Sequence, residues 1–188
     1  MTLAELLEAT IAALNEAAVA YMVTGSLASS YHGEPRATRD IDMVIDPDLA
    51  GLDRLVGALL RAGLYVDGDA AISAFESRSQ FNAIADGAAK VDFIIRRERP
   101  FSVEEFARRR PADLLGTPGF IVSPEDLVIA KLEWASAADS DLQLRDVAAM
   151  LEVGGSMIDS TYVETWVARL NLGAVWRRVG SQERPPGD

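Results

Sequence analysis

The chain has 188 residues with no cysteine and one histidine, and these shortages exclude several classes of site. Without cysteine, neither disulfides nor thiolate metal ligands can form. His32 alone disfavours a zinc site and excludes any catalytic arrangement that needs two imidazoles. The amino terminus has no basic segment followed by an apolar one, and no apolar run is long enough to cross a bilayer. A cytoplasmic location is therefore expected.

Positive charge is also scarce, with 18 lysines and arginines against 29 acidic residues and a net charge of −11. A field of that sign repels nucleic acid, so any contact with RNA or DNA must come from a local patch. The strongest candidate is the segment 96–110, RRERPFSVEEFARRR, with six arginines and three glutamates. A solvated loop and helix face is the simpler interpretation of this segment, and we favour it.

The first 120 residues have the pattern of a small mixed β-sheet flanked by helices. Thr2 and Glu5 form a capping box in front of an amphipathic helix. Apolar runs and turn residues then predict a strand at 20–25, a helix at 26–33, a strand at 40–46, a helix at 49–62 and a β-hairpin across 80–96. A second capping box, at Ser102 and Glu105, predicts a further short helix.

Helical signals dominate from residue 123 onwards. The segment 123–126, SPED, combines an N-cap serine, a proline for the first turn and two acids that the helix dipole favours. The pattern stays helical to about residue 179, and the last eight residues, SQERPPGD, are expected to be disordered. The predicted fold is therefore α/β (α+β), with a mixed-sheet core over 1–120, an all-helical C-terminal part over 121–180 and a tail over 181–188.

Carboxylates occur in two predicted strands that are otherwise suited to burial. Asp40 and Asp42, in DIDMVID, lie two residues apart and therefore share one face of the strand. They repel each other unless a cation lies between them, and we expect no lysine near this pair. Asp92, in KVDFII, is costly among apolar neighbours unless it is paired or ligated. Because oxygen donors suit Mg²⁺ or Mn²⁺, the three acids predict a cup for one or two metal ions.

Gly25 and Ser26 stand where a predicted strand turns into a helix. A glycine lets the backbone approach a ligand closely, and the amides at a helix start attract phosphate. A Gly-Ser turn or an Asp-x-Asp pair is by itself common in proteins that bind neither phosphate nor metal. In this order and spacing they are far more specific, and together they indicate metal-assisted phosphoryl or nucleotidyl transfer.

The segment TGSLASSYHGEPRATRDIDMVI resembles the first motif of the nucleotidyltransferase superfamily that shares the DNA polymerase beta-like core. That motif is Gly-Ser, a spacer and Asp-x-Asp, with a third acid on a later strand. The segment is most similar to the AbiEii-like and MenT-like branch, toxins of bacterial toxin–antitoxin pairs. In that branch a His-Gly and an Arg-x-Thr commonly fill the spacer, here His32-Gly33 and residues 36–38. Thirteen residues separate Ser26 from Asp40, more than in the minimal nucleotidyltransferases.

The resemblance implies an enzyme that moves a nucleoside monophosphate from a triphosphate such as ATP to an acceptor hydroxyl and releases pyrophosphate. It implies tRNA or a protein as acceptor, and a neutralising antitoxin as partner. The residues and the resemblance together assign Gly25 and Ser26 to the triphosphate and Asp40 and Asp42 to Mg²⁺. Asp92 is expected to complete a second metal site and to help deprotonate the acceptor hydroxyl. Lys131, with Arg39 or Arg145, is expected to neutralise phosphate charge, and Asp146 is a further acid of the site.

Lys131 and Asp146 also stand out in the sequence without the resemblance, because each interrupts an apolar helical stripe. Buried charges of this kind mark functional sites, but they also occur in plain ion pairs. One alternative is therefore a contribution to the site. The other is a buried salt bridge between two packed helices, with no chemistry.

Two rival functions remain open at the level of sequence. The chain could transfer a nucleotide to a small molecule, as the enzymes that adenylylate aminoglycoside or lincosamide antibiotics do. Such an enzyme needs no basic track for RNA. Alternatively, it could be a non-catalytic binding protein on the same fold, although the retained acidic triad argues against that. The nucleotide base, the acceptor and the oligomeric state are not determined by the sequence.

Overall fold

The computed structural model describes residues 1–85 and 89–180 as parts of two compact units. Unit 1 comprises Met1–Leu27 with Ala37–Val122, and unit 2 comprises Ala28–Arg36 with the described residues that follow Val122. The middle of the predicted hairpin turn, residues 86–88, and the tail expected to be disordered, 181–188, lie outside the described residues. Within the described part of the chain, no helix combines the length and apolar character that a bilayer crossing requires.

Unit 1 is built on a mixed β-sheet that contains seven strands within the described residues. In chain order they are β1 Ala20–Thr24, β2 Asp40–Asp46, β3 Tyr65–Val66, β4 Gln80–Ile84, β5 Lys90–Ile95, β6 Arg110–Leu114 and β7 Thr117–Ile121. Their order across the sheet is β3-β4-β5-β2-β1-β7-β6. The central strand β2 is antiparallel to β1 and parallel to β5.

The core of unit 1 lies against one face of the sheet. On β2 the alternation is regular, with Ile41, Met43 and Ile45 fully buried and the acidic residues on the opposite face. The sheet is accompanied by α1 Leu3–Glu16, α3 Leu49–Arg61, α4 Gly68–Ser77 and α5 Pro100–Ala107. Leucines at helical spacing on α1 and α3 are completely or almost completely buried, which is how these helices complete the core.

The predicted elements of unit 1 are confirmed, with one wrong detail and three omissions. The capping box of Thr2 and Glu5 is present at the start of α1. The second capping box is wrong: α5 begins at Pro100, before Ser102, and the Ser102 hydroxyl accepts a hydrogen bond from Arg99 Nε. β3, α4 and the hairpin formed by β6 and β7 were not predicted from the sequence.

Unit 2 is helical, as predicted. It contains part of α2 Gly25–His32, followed later in the chain by α6 Pro124–Ala138, α7 Asp141–Gly154, a 3₁₀ turn at Gly155–Met157, α8 Ser160–Arg169 and α9 Gly173–Gly180. Ser123 caps α6 by accepting a hydrogen bond from the Asp126 amide. The Tyr162 hydroxyl on α8 donates to Asp126 Oδ1 at 2.6 Å, which ties α8 to the start of α6. The apolar faces of these helices make the core of the unit.

Candidate functional site

The register of two strands brings the acidic residues of unit 1 together. Asp42 and Asp92 are direct partners in the parallel pairing of β2 with β5. Asp40 lies two residues before Asp42 on the same face. The next pair on this face of the two strands is Asp40 with Lys90. Three carboxylates and one ammonium therefore occupy one patch of the sheet, which we call the acidic cup (Asp40, Asp42, Asp92 and Lys90).

The Gly25–Ser26 turn lies directly against this cup. Thr24, the last residue of β1, is the antiparallel partner of Asp42. Gly25 follows with a φ of +64°, a left-handed conformation that favours glycine. A Cβ atom on Gly25 would overlap the Asp42 carboxylate, and the three atoms nearest to it would all belong to that side chain. The Ser26 amide donates a hydrogen bond to Asp42. Only a residue without a side chain allows the turn and the carboxylate to approach this closely.

The environment of Asp42 disfavours its negative charge. Burial raises the pKa of Asp42, and the neighbouring charge of Asp92 raises it further. The Ser26 amide and the Lys90 ammonium act in the opposite direction, and the charge of Asp40 adds a smaller increase to the Asp42 pKa. A carboxylate in this position is stabilised by any additional cation. Perturbation of this kind is typical of functional carboxylates.

Lys90 is a residue of the cup that was not predicted from the sequence to belong to the site. Its Nζ donates a hydrogen bond of 2.6 Å to Asp92 Oδ2 and lies 3.9 Å from Asp40 Oδ2. The expectation that no lysine lies near Asp40 and Asp42 is therefore wrong. Lys90 is remote from both in sequence, and only the parallel pairing of β2 with β5 places it opposite Asp40. These contacts raise the pKa of the Lys90 ammonium, chiefly through the hydrogen bond to Asp92.

The donor chemistry of the cup fits a divalent cation. Within residues 1–85 and 89–180, no three acidic or imidazole side chains are gathered into a ready-made metal site. Asp40 and Asp42 nevertheless share a face, Asp92 is adjacent, and all the donors are oxygens of the kind that Mg²⁺ prefers. The Lys90 ammonium between Asp40 and Asp92 is itself a cation held by these oxygens. Asp40 and Asp42, with Asp92 beside them, are the residues that could hold the ion.

Two further predicted site residues belong to a buried ion-pair cluster of unit 2. Lys131 Nζ lies 2.7 Å from Asp146 Oδ2, and their side chains are only 5% and 8% exposed. Lys131 also donates to Gln143 Oε1, and Arg36 Nη2 contacts the same Asp146 oxygen at 3.2 Å. The salt bridge between two helices, which the sequence left as one alternative, is present. Arg36, which lies in the spacer between Ser26 and Asp40, is a further member of this ion-pair cluster, and it was not predicted as one from the sequence.

The two other predicted phosphate-binding residues are exposed. Arg39 lies directly before β2 in unit 1, and Arg145 lies on α7 in unit 2. Neither is assigned a role by the structure. Both remain predictions.

Several arginines of the segment 96–110 are engaged in contacts within unit 1. Arg96 Nε forms an ion pair with Asp46 at 2.8 Å. The Arg109 guanidinium lies over the rings of Phe106 and Phe120, and its Nη1 donates to the Phe106 carbonyl. These contacts agree with the interpretation of the segment as a loop and helix face. Because Arg96 and Arg109 are engaged in these contacts, less of the positive charge of segment 96–110 is available to bind RNA.

Comparison with known proteins identifies the fold. No family model and no curated protein matches the sequence. The crystal structure of ANT(2'')-Ia in complex with adenylyl-2''-tobramycin is 16% identical and has a TM-score of 0.62, over 91% of this chain and 98% of that one. The lincomycin-bound lincosamide antibiotic adenylyltransferase LnuA is 12% identical, with a TM-score of 0.56 over 81% and 98%. An antigenic nucleotidyltransferase-like protein from Paracoccidioides brasiliensis is 18% identical, with a TM-score of 0.55 over 93% and 92%.

At these identities the comparisons show the fold, and it is the nucleotidyltransferase fold that the sequence predicted. They agree with the fold that the resemblance implied. None of them supports the AbiEii-like and MenT-like toxin branch, which stays an expectation from the sequence.

Proposed function

We propose that the chain is a nucleotidyltransferase that depends on a divalent metal ion and moves a nucleoside monophosphate from a nucleoside triphosphate to an acceptor hydroxyl. One observation carries the proposal. Asp42 lies against the Gly25–Ser26 turn on one side and beside Asp92 on the other, so a phosphate-binding turn adjoins a carboxylate cup. The nucleotidyltransferase fold supports the same conclusion.

The Gly25–Ser26 turn and the residues of the cup have different roles in this proposal. Gly25 and Ser26 bind the triphosphate, because the turn at the start of α2 presents backbone without an obstructing side chain. Asp40 and Asp42 hold Mg²⁺ or Mn²⁺. When bound, such an ion neutralises phosphate charge and stabilises the transferring group. Arg39, exposed next to β2, is a further candidate for phosphate contact.

The transfer is an in-line displacement at the α-phosphorus. The acceptor oxygen forms the new P–O bond while the bond from the α-phosphorus to the bridging oxygen breaks, and pyrophosphate leaves with that electron pair. The acceptor proton passes to Asp92. Because Lys90 holds Oδ2 of Asp92, Oδ1 is the oxygen that accepts it. A hydrogen-bonded carboxylate with a fixed orientation is suited to this role.

The acceptor that we propose is a small molecule with a free hydroxyl. The net charge of −11 disfavours RNA, and Arg96 and Arg109 of the local basic segment are occupied within unit 1. Among the solved structures that share the fold, ANT(2'')-Ia is in complex with adenylyl-2''-tobramycin, and LnuA is bound to lincomycin. The toxin role, with tRNA or a protein as acceptor and an antitoxin as partner, is the second candidate and rests on the motif alone.

Incubation of the protein with each labelled nucleoside triphosphate and Mg²⁺ tests this proposal. The acceptors offered are an aminoglycoside, a lincosamide, a small-molecule cell extract, total RNA and total protein. We expect label on a small molecule. Label on RNA or protein would support the toxin role in its place, and label on no acceptor at all would contradict nucleotidyl transfer.

Salt provides an independent check on the class of acceptor. A small-molecule acceptor predicts that kcat/KM changes by less than about threefold between roughly 50 and 200 mM salt, because few phosphate contacts are made. An RNA acceptor that neutralises about six to ten phosphates would lose roughly 10³-fold or more over the same range. The measurement is the rate of pyrophosphate release at each salt concentration.

Gly25→Ala is expected to abolish most of the transfer activity. The added methyl group would displace the Asp42 carboxylate, and the positive φ adds a strain of about 1 kcal/mol or more. Gly63→Ala is the matched control, since Gly63 has a φ of +82° and an added Cβ there would meet nothing within 4 Å. We expect both variants to lower the melting temperature, but only Gly25→Ala to lower the activity and the binding of the triphosphate. Equal activity of the two variants would show that the turn does not act on Asp42.

A further inference from the structure

The position of Lys90 in the acidic cup is set by the sheet itself. Lys90 begins β5, a strand that is paired on both sides, with β2 and with β4. Its register partner on β2 is Asp40, and the residue two positions further along its own strand face is Asp92. The ammonium therefore reaches the oxygens of both acids, at 3.9 Å and 2.6 Å. A shift of register would be needed to move the Lys90 backbone away from the cup.

The cup already contains one cation, the Lys90 ammonium, which lies between Asp40 and Asp92. A divalent ion bridging these two carboxylates would have to share that point with the ammonium. Cations a few ångströms apart repel strongly at the low effective dielectric of a protein site. Asp92 also has one oxygen committed to a charge-assisted hydrogen bond with Lys90, and such bonds are about twice as strong as neutral ones.

We infer that Lys90 takes the place of a second divalent ion, so that the cup binds a single ion, which Asp40 and Asp42 hold with the triphosphate. This inference rests on the proposed function, since it concerns the same carboxylates. It changes the predicted role of Asp92, which positions and neutralises Lys90 and does not complete a second metal site. In this arrangement the Lys90 ammonium supplies one positive charge where a second divalent ion would supply two.

Counting bound metal ions tests the inference without any turnover. Wild type, Lys90→Met and Lys90→Arg are each saturated with α,β-methylene-ATP and titrated with Mn²⁺, and bound Mn²⁺ is followed by electron paramagnetic resonance. We expect one ion per chain for the wild type and for Lys90→Arg, which keeps the charge, and two for Lys90→Met. Two ions in the wild type, or one ion in Lys90→Met, would overturn the inference while leaving the proposed function intact. No Mn²⁺ bound by the wild type would contradict the proposed function as well.

Thermal unfolding gives a second readout that does not depend on the nucleotide. Lys90→Met leaves the carboxylates of the cup without their ammonium, so its melting temperature in EDTA should fall below that of the wild type. Added Mn²⁺ should then raise the melting temperature of Lys90→Met more than that of the wild type, because the ion binds only the folded cup. Lys90 is partly exposed, so methionine can be accommodated at this position.

Arg61→Met is the matched control for the melting experiment. It removes a cation from an exposed ion pair of unit 1, between Arg61 and Glu16, which has no role in the cup. Its melting temperature should respond to Mn²⁺ as the wild type does. An equal response of Lys90→Met and Arg61→Met to Mn²⁺ would show that Lys90 does not occupy a cation position.

Discussion

Asp42→Asn is expected to lower kcat/KM for nucleotidyl transfer by about 10³-fold or more, while the protein folds normally. The amide has the shape of the carboxylate but lacks the negative charge with which Asp42, beside the Gly25–Ser26 turn, would hold the proposed divalent ion. Mn²⁺ binding in the presence of the triphosphate should be lost together with activity. The measurements are pyrophosphate release and the electron paramagnetic resonance titration.

The same substitution should leave the stability of the protein unchanged or higher. The folded-state pKa of Asp42 is raised, chiefly by burial, so the native state prefers the protonated acid. Above the folded-state pKa, the ionised Asp42 carboxylate lowers the free energy of unfolding. Below the pKa of the unfolded state, Asp42 is protonated in both states and this loss disappears. At neutral pH the asparagine removes this cost. An equal or higher melting temperature with lost activity is therefore the expected combination.

Asp46→Asn is the control for Asp42→Asn because it removes a carboxylate from the same strand and face. Asp46 pairs with Arg96 at the other end of β2 and has no place in the cup. We expect its transfer rate to stay within about twofold of the wild type, since an exposed or half-exposed ion pair contributes little. Turnover of Asp42→Asn at the rate of Asp46→Asn would refute the assignment of Asp42.

Asp146→Ala is expected to cause the largest loss of stability, about 3–5 kcal/mol in the free energy of unfolding. Asp146 Oδ2 contacts both Lys131 and Arg36, and the pair with Lys131 is almost completely buried. Removing the acid leaves two cations without this counter-charge. Denaturant unfolding of the variant measures the loss. Asp139→Asn, which breaks an exposed ion pair with Arg178 in the same unit, should change the stability very little.

The double substitution Lys131→Met with Asp146→Leu separates the two interpretations of this pair. Apolar residues of similar volume replace a buried ion pair at little cost. Arg36 also loses its contact with Asp146, but its side chain is 31% exposed and its charge stays partly hydrated, so most of the lost stability should return. If the stable double variant also transfers nucleotide, the pair is structural. If it is stable but inactive, the roles in phosphate binding and chemistry that the resemblance implied for Lys131 and Asp146 are supported. Failure to regain stability would contradict the ion-pair account.

The sequence predicted the elements whose patterns are local. The strand β2 was placed at its observed bounds because polar and apolar residues alternate strictly along it. The hairpin of β6 and β7 was missed because its strands contain Pro111, Pro118 and Gly119, which are poor strand signals. Its turn places Leu115 and Gly116 at positive φ, a conformation for which leucine provides no signal.

The site was predictable in its residue types but not in its arrangement. The motif identified the Gly25–Ser26 turn and the acids, yet nothing local indicates that β5 pairs with β2 and is parallel to it. That pairing alone places Lys90 among the carboxylates. The same limit applies to unit 2, where Arg36 contacts Asp146, 110 positions further along the chain. The positions of Lys90 and Arg36 in their clusters are therefore set by contacts between residues that are distant in the sequence, and composition does not indicate them.

The most direct test of the central claim is a crystal structure of the protein with Mn²⁺ and α,β-methylene-ATP, in which anomalous scattering locates the metal. We expect one Mn²⁺ peak at Asp40 and Asp42, with the triphosphate against the Gly25–Ser26 turn. A peak elsewhere on the chain, or a triphosphate bound away from that turn, would contradict the account.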